Sequence, residues 1–138
     1  YESGTERIKS GPKHTDFLER KIKLKYKKSL KTNSKIPIVL LTNRSSYSAT
    51  NFFTMYLRAL PQVTQIGDYS GGGGGIPATT ELSNGWKLRV SSTQSIDKKG
   101  QNIELGIKPQ IKIDNTNTDT FNGKDRILET AFDFLGKL

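Results

Sequence analysis

The segment Ile36-Pro-Ile-Val-Leu-Leu-Thr-Asn43 constrains this chain more than any other. It is nearly all apolar and rich in β-branched residues, the pattern of a strand covered on both faces. Pro37 stands near its first residue, where a missing N–H is tolerated. A second pattern follows at once. Ala49, Phe52, Phe53, Tyr56, Leu57 and Leu60 recur at helical spacing and predict a helix that runs to about Leu60 and stops at Pro61. A buried strand that passes directly into a helix needs a corner of small residues. Ser45, Ser46, Ser48 and Ala49 supply it.

The other elements arrange themselves around that unit. Residues 1–16 read as an irregular lead-in. In "KIKLKYKK", Lys21, Lys23, Lys25 and Lys27 alternate with Ile22, Leu24 and Tyr26, which predicts a half-exposed edge strand. "LKTNSK" is a turn. "VTQIGD" is a second short strand that leads into "YSGGGGGIP". "TTELSNGWKLRVSSTQ" reads as a hairpin, with Asn84-Gly85 giving the positive φ angles of a tight turn. "IELGIKPQIKID" is a loop with a short strand, and "TNTDTFNG" a polar linker. A last helix, about Lys124 to Lys137, places Ile127, Leu128, Ala131, Leu135 and Leu138 on one face. Strands and helices in this order predict an α/β layer structure.

With 138 residues the chain is the size of one domain, expected to divide into a basic lead-in with one edge strand (1–35) and the remainder (36–138). The chain does not begin with Met, and the expectation is a piece of something longer. Its net charge of +9 is concentrated before Ile36. Because those lysines alternate with apolar residues and few aromatics interleave, they read as the wet face of a strand. A nucleic-acid or anionic-membrane surface is the weakest function class. Cysteine is absent, which excludes thiol catalysis, disulfides and Cys-ligated zinc; no metal and no cofactor is expected.

Chemistry gathers at the serine corner. A residue at a helix start has free backbone N–H groups and the positive end of the helix dipole beside it. An oxyanion growing on a substrate carbonyl would be stabilised there by the amide of Ser48 or Ala49. Ser45 or Ser46 has a simpler role open to it, as a cap. Five consecutive glycines, 71–75, invite a phosphate-cradle reading, but no Gly-Lys-Ser/Thr follows them. Such a run is costly to order and is expected to be mobile in the free state. It reads either as a plain connector or, through Gly72, Gly73 and Gly74, as a wall that offers strand-like hydrogen bonds to an extended peptide.

Four segments, "IPIVLLTNRSSYSATNFF", "VTQIGDYSGGGGG", "LSNGWKLRVSS" and "IELGIKPQIKI", occur together in order over roughly residues 36–113. In this they resemble the C-terminal half of the catalytic domain of the tail-specific (C-terminal processing) serine proteases. The branch with the tricorn core and the retinoid-binding repeats is the more similar. The resemblance implies a Clp-protease/crotonase-like α/β fold of stacked ββα units, present here as a partial domain. It implies Ser48 as nucleophile, the Ala49 amide as an oxyanion donor and Glu104 as the carboxylate that orients a histidine base. A lysine base, as the processing branch uses, has no counterpart, because glycine stands there around Gly73 and no lysine lies between Arg58 and Lys87.

The chemistry of that set is coherent. A serine hydroxyl needs a base within hydrogen-bond reach, and histidine titrates near neutral pH. The one histidine, His14, lies 34 residues before Ser48 in a polar stretch and is read as an exposed loop residue. The base is therefore expected from a missing upstream segment, and these 138 residues alone are expected to be inactive. The implied substrate is a peptide or protein, and the implied location is exported, either periplasmic or membrane-anchored. An incomplete sheet gives a route to self-association. The alternative reading is a non-catalytic ligand- or peptide-binding domain on the same fold. Asn51 stands where the family often has an acid three residues after the nucleophile.

Overall fold

The structure, a computed structural model, describes residues 2–13, 15–25 and 36–137. His14, Leu138, the "LKTNSK" turn and the Tyr26–Lys28 end of the expected basic strand lie outside the described residues.

The described residues form two three-stranded sheets and one hairpin. In the first sheet β1 (Glu2–Lys9) lies between β2 (Phe17–Lys23) and β7 (Thr93–Asp97), antiparallel to both. Residues 2–9 are thus a central strand rather than an irregular lead-in. Ser3 and Glu6 are buried on β1, so its inward positions are small or polar and carry no apolar period. β2 ends this sheet; it begins at Phe17, before the expected start at Lys21, and stops at Lys23, with Lys21 and Lys23 exposed and Ile22 half-buried as the alternation predicts. β1 holds its neighbour through Arg20, which pairs with the buried Glu6 at 2.5 Å.

The second sheet is parallel. Its strands are β3 (Ile38–Thr42), β4 (Val63–Gly67) and the short β8 (Ile111–Lys112), in that order. β3 passes through the serine corner into α1 (Ala49–Leu57), which returns the chain to β4. β3 is an edge strand, and Ile38 and Leu41 stay 40% and 39% exposed, so it is not covered on both faces. Its cover is α3 (Arg126–Leu135), which packs against β3 and β4 with Ile127 and Ala131 buried. On the same helix Leu128, Phe132 and Leu135 remain exposed.

α1 differs from expectation in length and in face. It ends at Leu57, three residues before the predicted limit. Its buried residues are Asn51, Thr54 and Met55, whereas Phe53 is 52% exposed. Met55 packs with Ile103 and Ile107, and the partly buried Ile22, Phe52 and Tyr56 close over that cluster. Polar partners, not apolar ones, line the rest of the inward face. That is why a hydrophobic period misplaces it.

Beyond β4 the chain forms the predicted hairpin, β5 (Pro77–Glu81) and β6 (Lys87–Ser91). At its turn only Gly85 takes a positive φ, 81°, while the Asn84 side chain accepts the Trp86 N–H instead. The polar linker contains a short helix, α2 (Asn117–Phe121), started by a capping box. The Thr116 hydroxyl accepts the Asp119 N–H and the Asp119 carboxylate accepts the Thr116 N–H. α3 is capped by Asp125, which accepts the Leu128 N–H.

These caps titrate. Hydrogen bonds from Thr116, then Arg126, hold Asp119 below the ordinary carboxylate range; hydrogen bonds from Leu128, then Asn115, do the same for Asp125. A depressed carboxylate adds stability that is full above its ordinary pKa of about 3.9 and is lost as pH falls toward the folded value. Asp125→Asn keeps a cap acceptor that does not titrate. Between about pH 6 and about pH 3 it should lose less of its melting temperature than the parent. Equal losses in a calorimetric pH series would show that this cap is not linked to folding.

Candidate functional site

The serine corner is built from the end of β3 outward. Asn43 starts it, accepting the Ser46 N–H on its carbonyl and the Ser45 N–H on its side chain, both at 2.9 Å. The Ser46 hydroxyl accepts the Asn43 N–H, so Ser46 braces the turn and does not cap α1. Ser48 occupies the N-cap position, yet its side chain makes no capping hydrogen bond. Its hydroxyl has no partner among the described residues and the residue is exposed.

The Ser48 backbone explains that freedom. Its φ of 56° and ψ of −114° fall where turns of type II′ place glycine, and no other non-glycine among the described residues has a positive φ. Holding a side chain there costs on the order of 1–3 kcal/mol, and the hydroxyl leaves the helix end uncapped. The Ser48 N–H donates to the Gly72 carbonyl at 2.9 Å, which removes it as an oxyanion donor. The Ala49 N–H has no acceptor among the described residues. Of the two amides considered, Ala49 is the one left available.

The glycine run is not a loose loop. The Gly71 N–H donates to the Ser46 carbonyl, and the Gly73 N–H donates to the Glu104 carbonyl at 2.9 Å. Gly72 and Gly74 are buried. At Gly72 the φ is 88° and a Cβ would stand 2.1 Å from the Glu104 carbonyl oxygen, so only glycine fits. The entropic cost of glycine is met here by close approach of the backbone to two neighbours. The Tyr47 ring lies against Gly73 on the outer side.

One peptide group therefore joins the two candidate polar residues. Its carbonyl, from Gly72, takes the Ser48 N–H; its N–H, from Gly73, reaches Glu104. Covalent geometry and two hydrogen bonds set the Ser48 and Glu104 backbones about 8 Å apart. Glu104 sits in a half-buried turn in which its own N–H donates to Asn102 at 2.9 Å. Its carboxylate forms no hydrogen bond or ion pair among the described residues. No group of three or more His, Cys, Asp or Glu able to hold a metal occurs among the described residues.

Sequence reasoning missed the polar network behind the site. Asn51, on the first turn of α1, is fully buried and bonds to Ser70 and to the Ile103 carbonyl. Its one signal was a polar residue inside an otherwise apolar helix period.

The strain at Ser48 separates two roles by stability alone. Ser48→Gly should raise stability by about 1 kcal/mol, because glycine adopts this φ freely, and Ser48→Ala should change it by less than about 0.5 kcal/mol. A capping serine gives another order, since replacing it with alanine costs about 1 kcal/mol. Thermal or urea unfolding of the pair distinguishes them, and a loss in Ser48→Ala near that value would assign the cap.

The sequence profile of peptidase family S41 matches residues 5–113. No curated protein matches the chain. Among solved structures, a candidate peptidase from Parabacteroides merdae ATCC 43184 is 40% identical with a TM-score of 0.87, over 98% of this chain and 42% of that one. A lipoprotein from Streptococcus agalactiae is 18% identical with a TM-score of 0.63, over 96% and 44%. A serine-to-alanine mutant of CPAF is 20% identical with a TM-score of 0.60, over 74% and 20%. The last two share the fold. This chain thus spans 42% of the length of the Parabacteroides merdae protein.

Proposed function

Because the chain belongs to peptidase family S41, we propose that it carries the nucleophile half of a serine peptidase site acting on peptide or protein substrates. The observation that carries this reading is the unpartnered hydroxyl of Ser48, an exposed residue on a strained backbone, beside a free helix N–H. In the proposed reaction a base takes the Ser48 proton as the oxygen attacks the scissile carbonyl carbon. The new oxyanion accepts the Ala49 N–H at the positive end of α1. The base then returns the proton to the leaving amine as the C–N bond breaks, and water hydrolyses the acyl-enzyme by the reverse exchange.

The base is proposed to be a histidine from a segment outside these 138 residues, oriented by Glu104. The Gly72–Gly73 peptide, bonded to the Ser48 N–H on one side and the Glu104 carbonyl on the other, supports reading the two residues as parts of one site. On this reading the described residues alone hydrolyse little or nothing. Gly72 to Gly74 are proposed to border the substrate; Gly72 and Gly74 are buried, so Gly73, half-buried, is the most accessible of the three. The β3–α1–β4 unit, a parallel crossover, supports the stacked, crotonase-like arrangement.

Export is part of the same reading and rests on family resemblance; among the described residues no helix is long and apolar enough to cross a membrane. Self-association would use the exposed edge at Ile38 and Leu41 and the neighbouring α3 face.

The test is labelling of the full-length protein by a serine-reactive fluorophosphonate. Label is expected on Ser48, absent in Ser48→Ala and slowed roughly 100-fold or more in Glu104→Gln, which leaves the imidazole unoriented. A folded protein that takes no label at Ser48 would refute the peptidase reading and favour a binding domain on this fold.

A further inference from the structure

Asn51 lies one helical turn from Ser48 and is 0% exposed. Its carboxamide is satisfied at both ends. The Nδ2 group donates to the Ile103 carbonyl at 2.9 Å, and Oδ1 accepts the Ser70 hydroxyl at 2.6 Å. The Ser70 oxygen in turn accepts the Ile107 N–H at 2.7 Å, and the Ser70 N–H donates to the Ile107 carbonyl at 3.2 Å. Ser70 has one hydroxyl hydrogen. With the Ile107 N–H pointing at its oxygen, that hydrogen goes to Asn51, and the amide orientation that accepts it is the one that also lets Nδ2 donate to the Ile103 carbonyl.

The two ends of this network bracket Glu104, which lies between Ile103 and Ile107. Between them, Asn51 ties the network to the first turn of α1, whose N-cap is Ser48. From these contacts we propose that Asn51 is a positioning residue: its carboxamide fixes the start of α1 against the 103–107 turn and so sets how far Ser48 stands from Glu104. The proposal rests on the reading of Ser48 and Glu104 as partners. It accounts for an amide at a position where an acid would fit the space. A carboxylate keeps the acceptor for Ser70 but turns a lone pair toward the Ile103 carbonyl, and buries a charge with no cation against it.

Three variants of the full-length protein test this: Asn51→Asp, Ser70→Ala and, as a control for stability alone, Ile127→Ala, which empties a buried site on α3. The rate of fluorophosphonate labelling at Ser48 is measured beside the melting temperature. Amide exchange is followed at Gly73 and Ile107. Asn51→Asp should slow labelling roughly tenfold or more, since small displacements of reacting groups cost up to about 100-fold. It should also speed exchange at both amides about tenfold. Ile127→Ala, at an equal or larger fall in melting temperature, should leave labelling within about threefold.

Labelling by Asn51→Asp within threefold of the parent overturns the proposal. So does a loss that merely follows melting temperature across all three variants. If Asn51→Asp does not fold, Ser70→Ala, which breaks the network at its other link, is judged by the same limits. If the parent takes no label, the peptidase reading fails separately. Exchange at Gly73 and Ile107 then decides the positioning role, and unchanged exchange in Asn51→Asp refutes it.

Discussion

A single peptide group, Gly72–Gly73, holds the site together. Through its carbonyl it fixes the Ser48 backbone and through its N–H it fixes Glu104. Neither residue could be placed by its own element alone. Ser48 stands at a helix start in a conformation that its side chain disfavours, and Glu104 stands in a turn between a sheet edge and a short strand. The peptide works only because both of its residues lack a Cβ: one at Gly72 would meet the Glu104 carbonyl, and one at Gly73 the Tyr47 ring. The glycines are thus a packing requirement before they are anything else.

The conformation at Ser48 follows from the same arrangement. An isolated strand-to-helix corner would relax by turning the serine hydroxyl onto the helix N–H groups, where it gains a capping bond. Here the Ser48 N–H is drawn to Gly72, the turn before it is locked by Asn43 and Ser46, and the turn after it is anchored by buried Asn51. The strain, about 1–3 kcal/mol, is small beside what those surrounding contacts contribute, so it persists. The result is a hydroxyl with no hydrogen-bond partner among the described residues and a helix end with an available N–H beside it.

Much of this was legible in the sequence, in particular places. The apolar run at 38–42 marked a strand, its abrupt passage into the 49–57 helix marked the corner, and Asn84-Gly85 marked the hairpin. In each case one residue type has a strong local reason to be there. The misses share a cause too. β1 is a central strand whose inward residues are Ser3 and Glu6, so it shows no hydrophobic period. α2 is announced only by the capping pair Thr116 and Asp119 inside a polar stretch. On α1 the apolar spacing marks Phe52 and Tyr56, which do pack on the core, but not Asn51 and Thr54, which are buried by hydrogen bonds that no periodicity of apolar residues can reveal. The ordering of the glycine run depends on residues far from it in sequence, Ser46 to Ser48 before it and Glu104 after it, and was invisible locally.

A crystal structure of the full-length protein with a fluorophosphonate bound to Ser48 examines the central claim most directly. The account predicts a positive φ at Ser48, the Gly72 and Gly73 hydrogen bonds intact, a phosphonyl oxygen within about 3.2 Å of the Ala49 nitrogen, and an imidazole between the Ser48 oxygen and the Glu104 carboxylate. An adduct whose oxygen points away from the Ala49 N–H, or a Glu104 carboxylate turned from the serine with no imidazole between them, would contradict it.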